Sequence, residues 1–331
     1  DSARHANNTN FRRARIAISG VQYKDWKYKF EYDFAGSGKI TEAFLEHKTK
    51  YKFNLKAGQF KEPFSMDELT SSKSLAFLER SSSTNFAPSF SMGIQADKQW
   101  SNISLTTGIF ANNAADDIDS GTKDHETISS TTRATYHHNL ANDDILHLGL
   151  AYRYSDPNQE QLVYKVKPEA NIEDGLYALT WDSSTGNVNK HEQSAIELAA
   201  IAGNTAIQAE YIANDVQRNL NKANVNFQTY YTQISHALGG KLYHYSKKKG
   251  VICRSPKNND IIELAARYSV INLNEADILK GKMHNYTIGL NWYPYENLKF
   301  MANYVNVQTD RNSIAADNSP EIFAARAQFK F

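Results

Sequence analysis

Arg12, Arg13 and Arg15 place three guanidinium groups within the run Phe11-Arg12-Arg13-Ala14-Arg15-Ile16-Ala17-Ile18. The chemistry open to such a cluster is binding: guanidinium is a permanent cation whose planar fork matches oxyanions. A second set of charges, Glu62, Asp67, Glu68, Lys73, Glu79 and Arg80, lies inside a segment otherwise rich in apolar residues. Groups for covalent catalysis are not arranged for it, because a nucleophile needs a base within hydrogen-bond reach. His147 is the one clearly inward-facing strand histidine and has no evident serine partner. His5, His47, His125, His137, His138, His191, His236, His244 and His284 are scattered. The single cysteine, Cys253, excludes an intrachain disulfide within these residues and gives no sign of a metal site. The expectation is a non-enzyme with no cofactor and no metal.

What those cations can act on depends on the elements that hold them. A mean hydropathy of −0.59 looks soluble, and no run of about 18 apolar residues offers a transmembrane helix. The remaining way across a bilayer is a closed β-barrel, whose alternating strands average out as polar. The 19 Tyr and 16 Phe, against 7 Pro, suit strands and the aromatic girdles of such a barrel. A formal charge of +1 gives nucleic-acid binding no support. The opening residues, Asp1 to Asn8, read as a polar loop, so the chain is expected to begin part-way into its protein.

Period-two alternation recurs along all 331 residues, which read as a single domain. In Trp26-Lys27-Tyr28-Lys29-Phe30-Glu31-Tyr32-Asp33 the aromatics share one face and the charges the other. The pattern returns at 146–154, 262–268 and 286–292. Strands are expected near 11–20, 26–34, 40–48, 51–60, 91–99, 101–111, 127–137, 145–155, 193–202, 205–213, 225–237, 261–271, 284–294, 297–307 and 321–331. A soluble sandwich also alternates. Two features favour the membrane: strands of roughly 9–11 residues, and a non-apolar face rich in Lys, Arg, Glu, Gly and Thr.

Connections alternate between short and long, the habit of a barrel with short periplasmic turns and long outer loops. The stretch 238–260, with Lys247-Lys248-Lys249-Gly250, is long where a short turn is due, and the sequence offers no reason for it. Fifteen strands is an odd number, so the expected fold is a sixteen-stranded antiparallel up-and-down barrel with its first strand upstream. Sixteen strands enclose an aqueous channel. The closing strand Phe323–Phe331 ends on an aromatic, as outer-membrane barrels do.

Lys61–Phe90 carries Phe64, Met66, Leu69, Leu75, Phe77, Leu78 and Phe86, enough to pack against the inner wall and constrict the pore. A packed outer lid without effect on ions is the other reading. Alternation turns Arg13 and Arg15 to the lumen and Arg12 outward, unless Arg12 lies at a bulge or beyond the hydrocarbon. Such a row lowers the barrier to anions. The same residues also fit a ladder with Glu31 and Asp33 that fills space. Segment 156–192 is expected to be a long extracellular loop, turn-rich at Asp156-Pro157-Asn158 and Ser183-Ser184-Thr185-Gly186.

At Phe11-Arg12-Arg13-Ala14, Asp25-Trp26-Lys27-Tyr28, Gly58-Gln59-Phe60-Lys61-Glu62-Pro63-Phe64, Leu69-Thr70-Ser71-Ser72-Lys73, Leu78-Glu79-Arg80 and Gly289-Leu290-Asn291-Trp292-Tyr293, the chain resembles the phosphate-selective porins O and P. The resemblance runs from Phe11 to Phe331. It implies a homotrimer of sixteen-stranded barrels in outer-membrane lipid, an inward third loop and an arginine ladder leading anions to a central site. By position, Arg12, Arg13, Ser71, Ser72 and Arg80 match that site, and Lys27 and Lys56 match a periplasmic lysine cluster. The chain departs from the pattern with Glu68 in place of a site lysine, Thr41 in place of an aspartate and Arg15 in place of a tyrosine. A later Arg-rich loop is represented only by Lys165, Lys167, Pro168 and Glu169. The expected function is passive diffusion of small hydrophilic solutes with anion preference, phosphate and other oxyanions among them. A general or weakly cation-selective pore, and an adhesin or receptor barrel, are the alternatives.

Overall fold

The computed structural model describes residues 8–111, 128–156, 162–170, 179–183, 188–219, 222–275, 277–310 and 320–331. Its strands are β1 (Arg15–Gln22), β2 (Trp26–Asp33), β3 (Lys39–Lys48), β4 (Phe53–Lys61), β5 (Phe90–Gln99), β6 (Ile103–Ala111), β7 (Ile128–Asn139), β8 (Ile145–Asp156), β9 (Val163–Val166) and β10 (Leu179–Asp182). They continue with β11 (Val188–Ala202), β12 (Thr205–Arg218), β13 (Val225–Leu238), β14 (Tyr243–Ser246), β15 (Val251–Arg254), β16 (Ile261–Glu275), β17 (Ile278–Tyr295), β18 (Leu298–Thr309) and β19 (Glu321–Phe329). Fifteen make one antiparallel sheet, each beside its successor in the order β1 to β8, β11 to β13 and β16 to β19. These are the fifteen that alternation marks out. The other four form two hairpins, β9–β10 and β14–β15. The edges of the large sheet are β1 and β19.

One loop shows that the sheet is rolled. Between β4 and β5, residues 62–89 touch Glu210 on β12, Thr229 on β13, Ser269 on β16, Asn291 on β17 and Arg326 on β19. A loop rooted near one edge can meet the opposite edge only if the strands curl round a common interior. The sheet is an antiparallel up-and-down barrel.

Its outer face is apolar. On β17, Tyr286, Ile288, Leu290 and Trp292 are exposed while Asn285, Thr287 and Asn291 between them are buried. Tyr286 packs on Tyr268 at one end and Trp292 on Phe300 at the other, with centroids 4.9 and 5.5 Å apart. The two rings are six residue steps apart, about 20 Å along the strand at ~3.4 Å each, and at a tilt of about 40° this spans roughly 15 Å of the ~25 Å apolar band of a membrane barrel. No helix among the described residues is long and apolar enough to cross a membrane.

The interior is filled unevenly. Inward residues of β7 to β18 are buried, many completely, under loop 62–89 and the two hairpins. Buried carboxylates there meet arginines: Glu197 with Arg133, Glu263 with Arg254 and Glu169 with Arg267, all buried, and Glu62 with the half-buried Arg153. Pairing is what makes such burial tolerable. On β1 and β2, by contrast, inward-facing Ala17, Ser19 and Lys27 stay exposed. The open space therefore runs along the β19–β1–β2 wall.

Two features differ from the sequence reading. The overlong 238–260 stretch folds inward as β14–β15, and its Val251 and Ile252 pack with Met66 of the loop and Ile145, Ala199 and Ile201 of the wall. The described parts of 156–192 are also deep: Leu179, Trp181 and Val166 join the core, and Glu169 bonds Ser82, Ser269 and Thr287. The runs Pro157-Asn158 and Ser184–Gly186 lie outside the described residues.

Candidate functional site

Loop 62–89 is built to hold one shape. Ser65, at φ 65°, caps the short helix α1 (Met66–Leu69) by accepting from the Glu68 amide at 3.2 Å. Asp67 accepts from the Ser81 amide and hydroxyl, both at 2.8 Å, and so braces the loop across its own width. On the far side, Arg254 of hairpin β14–β15 and three wall residues donate to loop carbonyls between Ser74 and Leu78. Arg254 reaches Ser74 O at 3.0 Å, Lys299 Leu75 O at 2.7 Å, Asn291 Ala76 O at 2.7 Å and Arg326 Leu78 O at 2.6 Å. These bonds satisfy backbone acceptors that irregular chain would otherwise bury unpaired.

The edge of the loop facing the open wall carries the charges. Arg12 grips Glu79 with two bonds, at 2.8 and 2.9 Å, and Arg326 meets the same carboxylate at 2.7 Å. Arg80 pairs with Glu68 at 2.9 Å and donates to Thr70 O at 2.7 Å, and Lys61 meets Glu68 at 2.6 Å. Arg13 makes no ion pair with a described residue. Burial first, then Arg12, with Arg326 and Arg80 behind it, push the Arg13 guanidinium down to about 9 against the pull of Glu79. It remains a cation at neutral pH. Burial alone would raise the Glu68 carboxyl, but Arg80 and Lys61 outweigh it and hold the group below the usual carboxylate range. Arg12, Arg13 and Arg326 do the same for Glu79.

The expected site residues thus divide. Arg12, Arg13 and Arg80 come together round Glu79 and Glu68, joined by Arg326 and Lys61, which sequence reasoning left out. Arg326 was legible, since alternation with Ala325 and Ala327 turns it inward. Arg12 corrects the strict alternation: β1 begins only at Arg15, so Arg12 sits in a bend and turns inward to Glu79. Arg15 enters the ladder, at 2.7 Å from Asp33 and 3.4 Å from Glu31. Thr41 supports that ladder by donating to Glu31 at 2.8 Å. Ser71 and Ser72 are half-buried in a 3-10 turn, and neither bonds Arg12 or Arg13 among the described residues. The Ser71 hydroxyl accepts from the Lys73 amide, and Lys73 itself is exposed. Lys27 and Lys56 stand apart, near the short turns, flanking Glu46 in register across β2, β3 and β4.

His147 is inward, as expected, between Tyr245 at 2.6 Å and Glu197 at 3.3 Å. It is not alone: His137 and His191 are buried inside as well. His191 lies 3.3 Å from the Ser155 hydroxyl and 2.6 Å from Asn214. His137 and His147 lie against Tyr245, whereas His191, Ser155 and Asn214 are buried together, with Asn214 donating to the Tyr164 hydroxyl.

A family model described as phosphate-selective porin O and P matches residues 2–331. The chain belongs to this family. Porin O of Pseudomonas aeruginosa is 25% identical over 365 residues, covering 97% of the porin described here and 82% of that protein. Among solved structures, Pseudomonas putida OprB at high pH superposes with a TM-score of 0.57 and 10% identity, over 92% of this chain and 83% of that one. In-vitro folded OmpT of Vibrio cholerae, in a trimer form, superposes with a TM-score of 0.56 and 10% identity, over 96% and 91%. At such identity these two establish the fold alone. The porin is an outer-membrane β-barrel channel and not an enzyme.

Proposed function

We propose that this porin passes small anions by diffusion along the β19–β1–β2 wall, with loop 61–90 as the constriction and Arg12, Arg13, Arg80 and Arg326 as the attracting cluster. The carrying observation is the charge imbalance at the loop edge. Among the described residues, four guanidinium groups and Lys61 converge on Glu68 and Glu79, and Arg13, which feels Glu79 at a distance, makes no ion pair. An anion supplies what Arg13 lacks. In a narrow, low-dielectric passage such an excess is felt strongly. Arg15, Ser71, Ser72 and Lys73 line the approaches, and Lys27 and Lys56 the inner mouth.

Phosphate is one such anion, but tight phosphate specificity is not part of the reading. Glu68 already neutralises Arg80 and Lys61, two of the cations a dianion would need. Assembly as a homotrimer in outer-membrane lipid belongs to the same proposal, supported by family membership. The described part of 156–192 serves as an inner brace from the extracellular side. Planar-bilayer reversal potentials in a potassium chloride gradient test the proposal. Chloride should permeate in preference to potassium, and Arg13→Ala should reduce the preference. A potassium preference in the unaltered porin would refute it.

A further inference from the structure

The outer face of β13, β16, β17 and β18 is not the same at its two ends. Near the short turn at 296–297, the row Ile262, Trp292, Phe300 and Ala327 is apolar throughout. At the extracellular end, register sets three rows of another kind. Tyr268, Tyr286 and Asn306 stand side by side in the first. Tyr230, Val270, His284 and Gln308 form the second, two residues further along each strand. Gln228, Asn272 and Lys282 form the third. The rings pack as one unit. The Tyr268 centroid lies 4.9 Å from that of Tyr286, 6.0 Å from His284 and 6.2 Å from Tyr230, and its hydroxyl is 2.7 Å from His284 Nδ1. Val270 faces outward by alternation and is yet only 1% exposed, because Tyr230 and His284 flank it.

A molecule lying along this face meets exposed Ile288 and Leu290 first, then aromatic rings with hydroxyls, then amides and an ammonium group. Lys282 makes no ion pair among the described residues, and Lys280 beyond it is exposed. The neighbouring carboxylates are engaged: Asp310 accepts from Asn274 at 2.8 Å, and Asp277 pairs with Arg218. Glu275 falls on the other face of β16 by alternation. The upper rows therefore offer hydrogen bonds and unspent positive charge on the lipid side of the wall.

We propose that this face binds the phosphorylated glucosamine head of an outer-leaflet glycolipid of the lipid A class, with acyl chains on Ile288 and Leu290, sugar rings against the tyrosines and amides, and a phosphate at Lys282. Aromatic rings with a polar tip suit a boundary between apolar and wet surroundings. Amides both donate and accept, as a sugar's hydroxyls require, and an ammonium bonds phosphate with charge assistance. A glycerophospholipid head offers the phosphate but not the rings of hydroxyls, and would leave most of the amides unused. The site lies outside the barrel, so it is independent of anion passage through the lumen.

The test counts lipid retained by the full porin in native mass spectrometry, after incubation in detergent with equal amounts of diphosphoryl lipid A or phosphatidylglycerol. The unaltered porin should retain lipid A about fivefold better than phosphatidylglycerol, which is anionic but carries no saccharide. Lys282→Gln should weaken lipid A retention about fivefold and Lys282→Arg should keep most of it. Tyr286→Leu should weaken it about threefold. Heat-modifiable migration in gels shows that each variant is folded before it is compared. Equal retention of the two lipids by the unaltered porin overturns the proposal without any variant. Retention of lipid A unmoved by Lys282→Gln and Tyr286→Leu overturns it as well. Loss of an oligomer in these variants, with lipid A retention intact, would assign the face to contact between copies of the chain and overturn it too.

Discussion

Glu68 and Glu79 are the residues through which the loop edge is both anchored and discharged. Glu68 holds Arg80 and Lys61 and accepts from Ser89 at 3.3 Å. Glu68→Gln keeps the shape but releases two cations into the passage. The expected result is a chloride-to-potassium ratio raised about twofold, with stronger inhibition of chloride current by added phosphate; an unchanged ratio would remove Glu68 from the conducting path. Glu79 gives a pH signature. Its carboxyl in the folded porin sits below the ordinary range despite burial, because Arg12, Arg13 and Arg326 surround it. A depressed folded value means the stabilisation is complete above the unfolded value, roughly 4.3, and disappears as pH falls through the folded one. The difference in heat stability between the porin and Glu79→Gln should be constant near neutrality, on the order of 2 kcal/mol, and vanish only in strong acid. A difference that fades between about pH 7 and 5 would assign the effect to another group.

At the level of elements, strands were legible, and the apolar residues of 61–90 gave reason to expect an inward loop, but the other two infolded segments were not legible. A strand announces itself by its own alternation, so β2, β8 and β17 can be read from a few residues each. Hairpin β14–β15 owes its position to Arg133, Glu46 and the Ser74 carbonyl, which lie more than a hundred positions away. Local pattern holds no trace of such partners. Segment 162–170 is similar: Glu169 looks like a loop charge until Arg267 donates to it at 2.7 Å and Thr287 at 3.0 Å. The same limit applies at the site, where alternation speaks for Arg15, which lies in β1, and not for Arg12 and Arg13, which precede the strand. Arg267 also bonds the Glu79 carbonyl at 3.1 Å, so Glu169 steadies the constriction through it. Glu169→Gln leaves a buried guanidinium without its counter-charge, and about 3–5 kcal/mol of stability should be lost. Denaturant unfolding of the refolded porin reads this directly, and a loss below about 1 kcal/mol would show the pair to be solvated.

Taken as a whole, the molecule separates three environments by face and sector. Hydrocarbon lies outside, neutralised ion pairs fill the β7–β18 sector, and excess cations border the open β19–β1–β2 wall. The first of these can be tested without reference to conduction. Leu290 is, with Ile288, one of the two outward residues nearest the midpoint between the rings of Tyr286 and Trp292, and its inward neighbours Gly289 and Asn291 lie against Phe77 and the Ala76 carbonyl of the loop. A charge at Leu290 should meet the centre of the bilayer, and one at Tyr286 its edge. Barrel energetics put the cost of a lysine at about 2–4 kcal/mol at mid-plane and about 0–1 kcal/mol near the interface. Leu290→Lys and Tyr286→Lys, folded into lipid vesicles and unfolded with denaturant, should differ accordingly, with chloride preference equal in both because neither side chain borders the passage. Equal costs at the two positions would mean that the apolar band is not where the girdles place it, and a changed preference would mean that the outer face is not sealed from the ions.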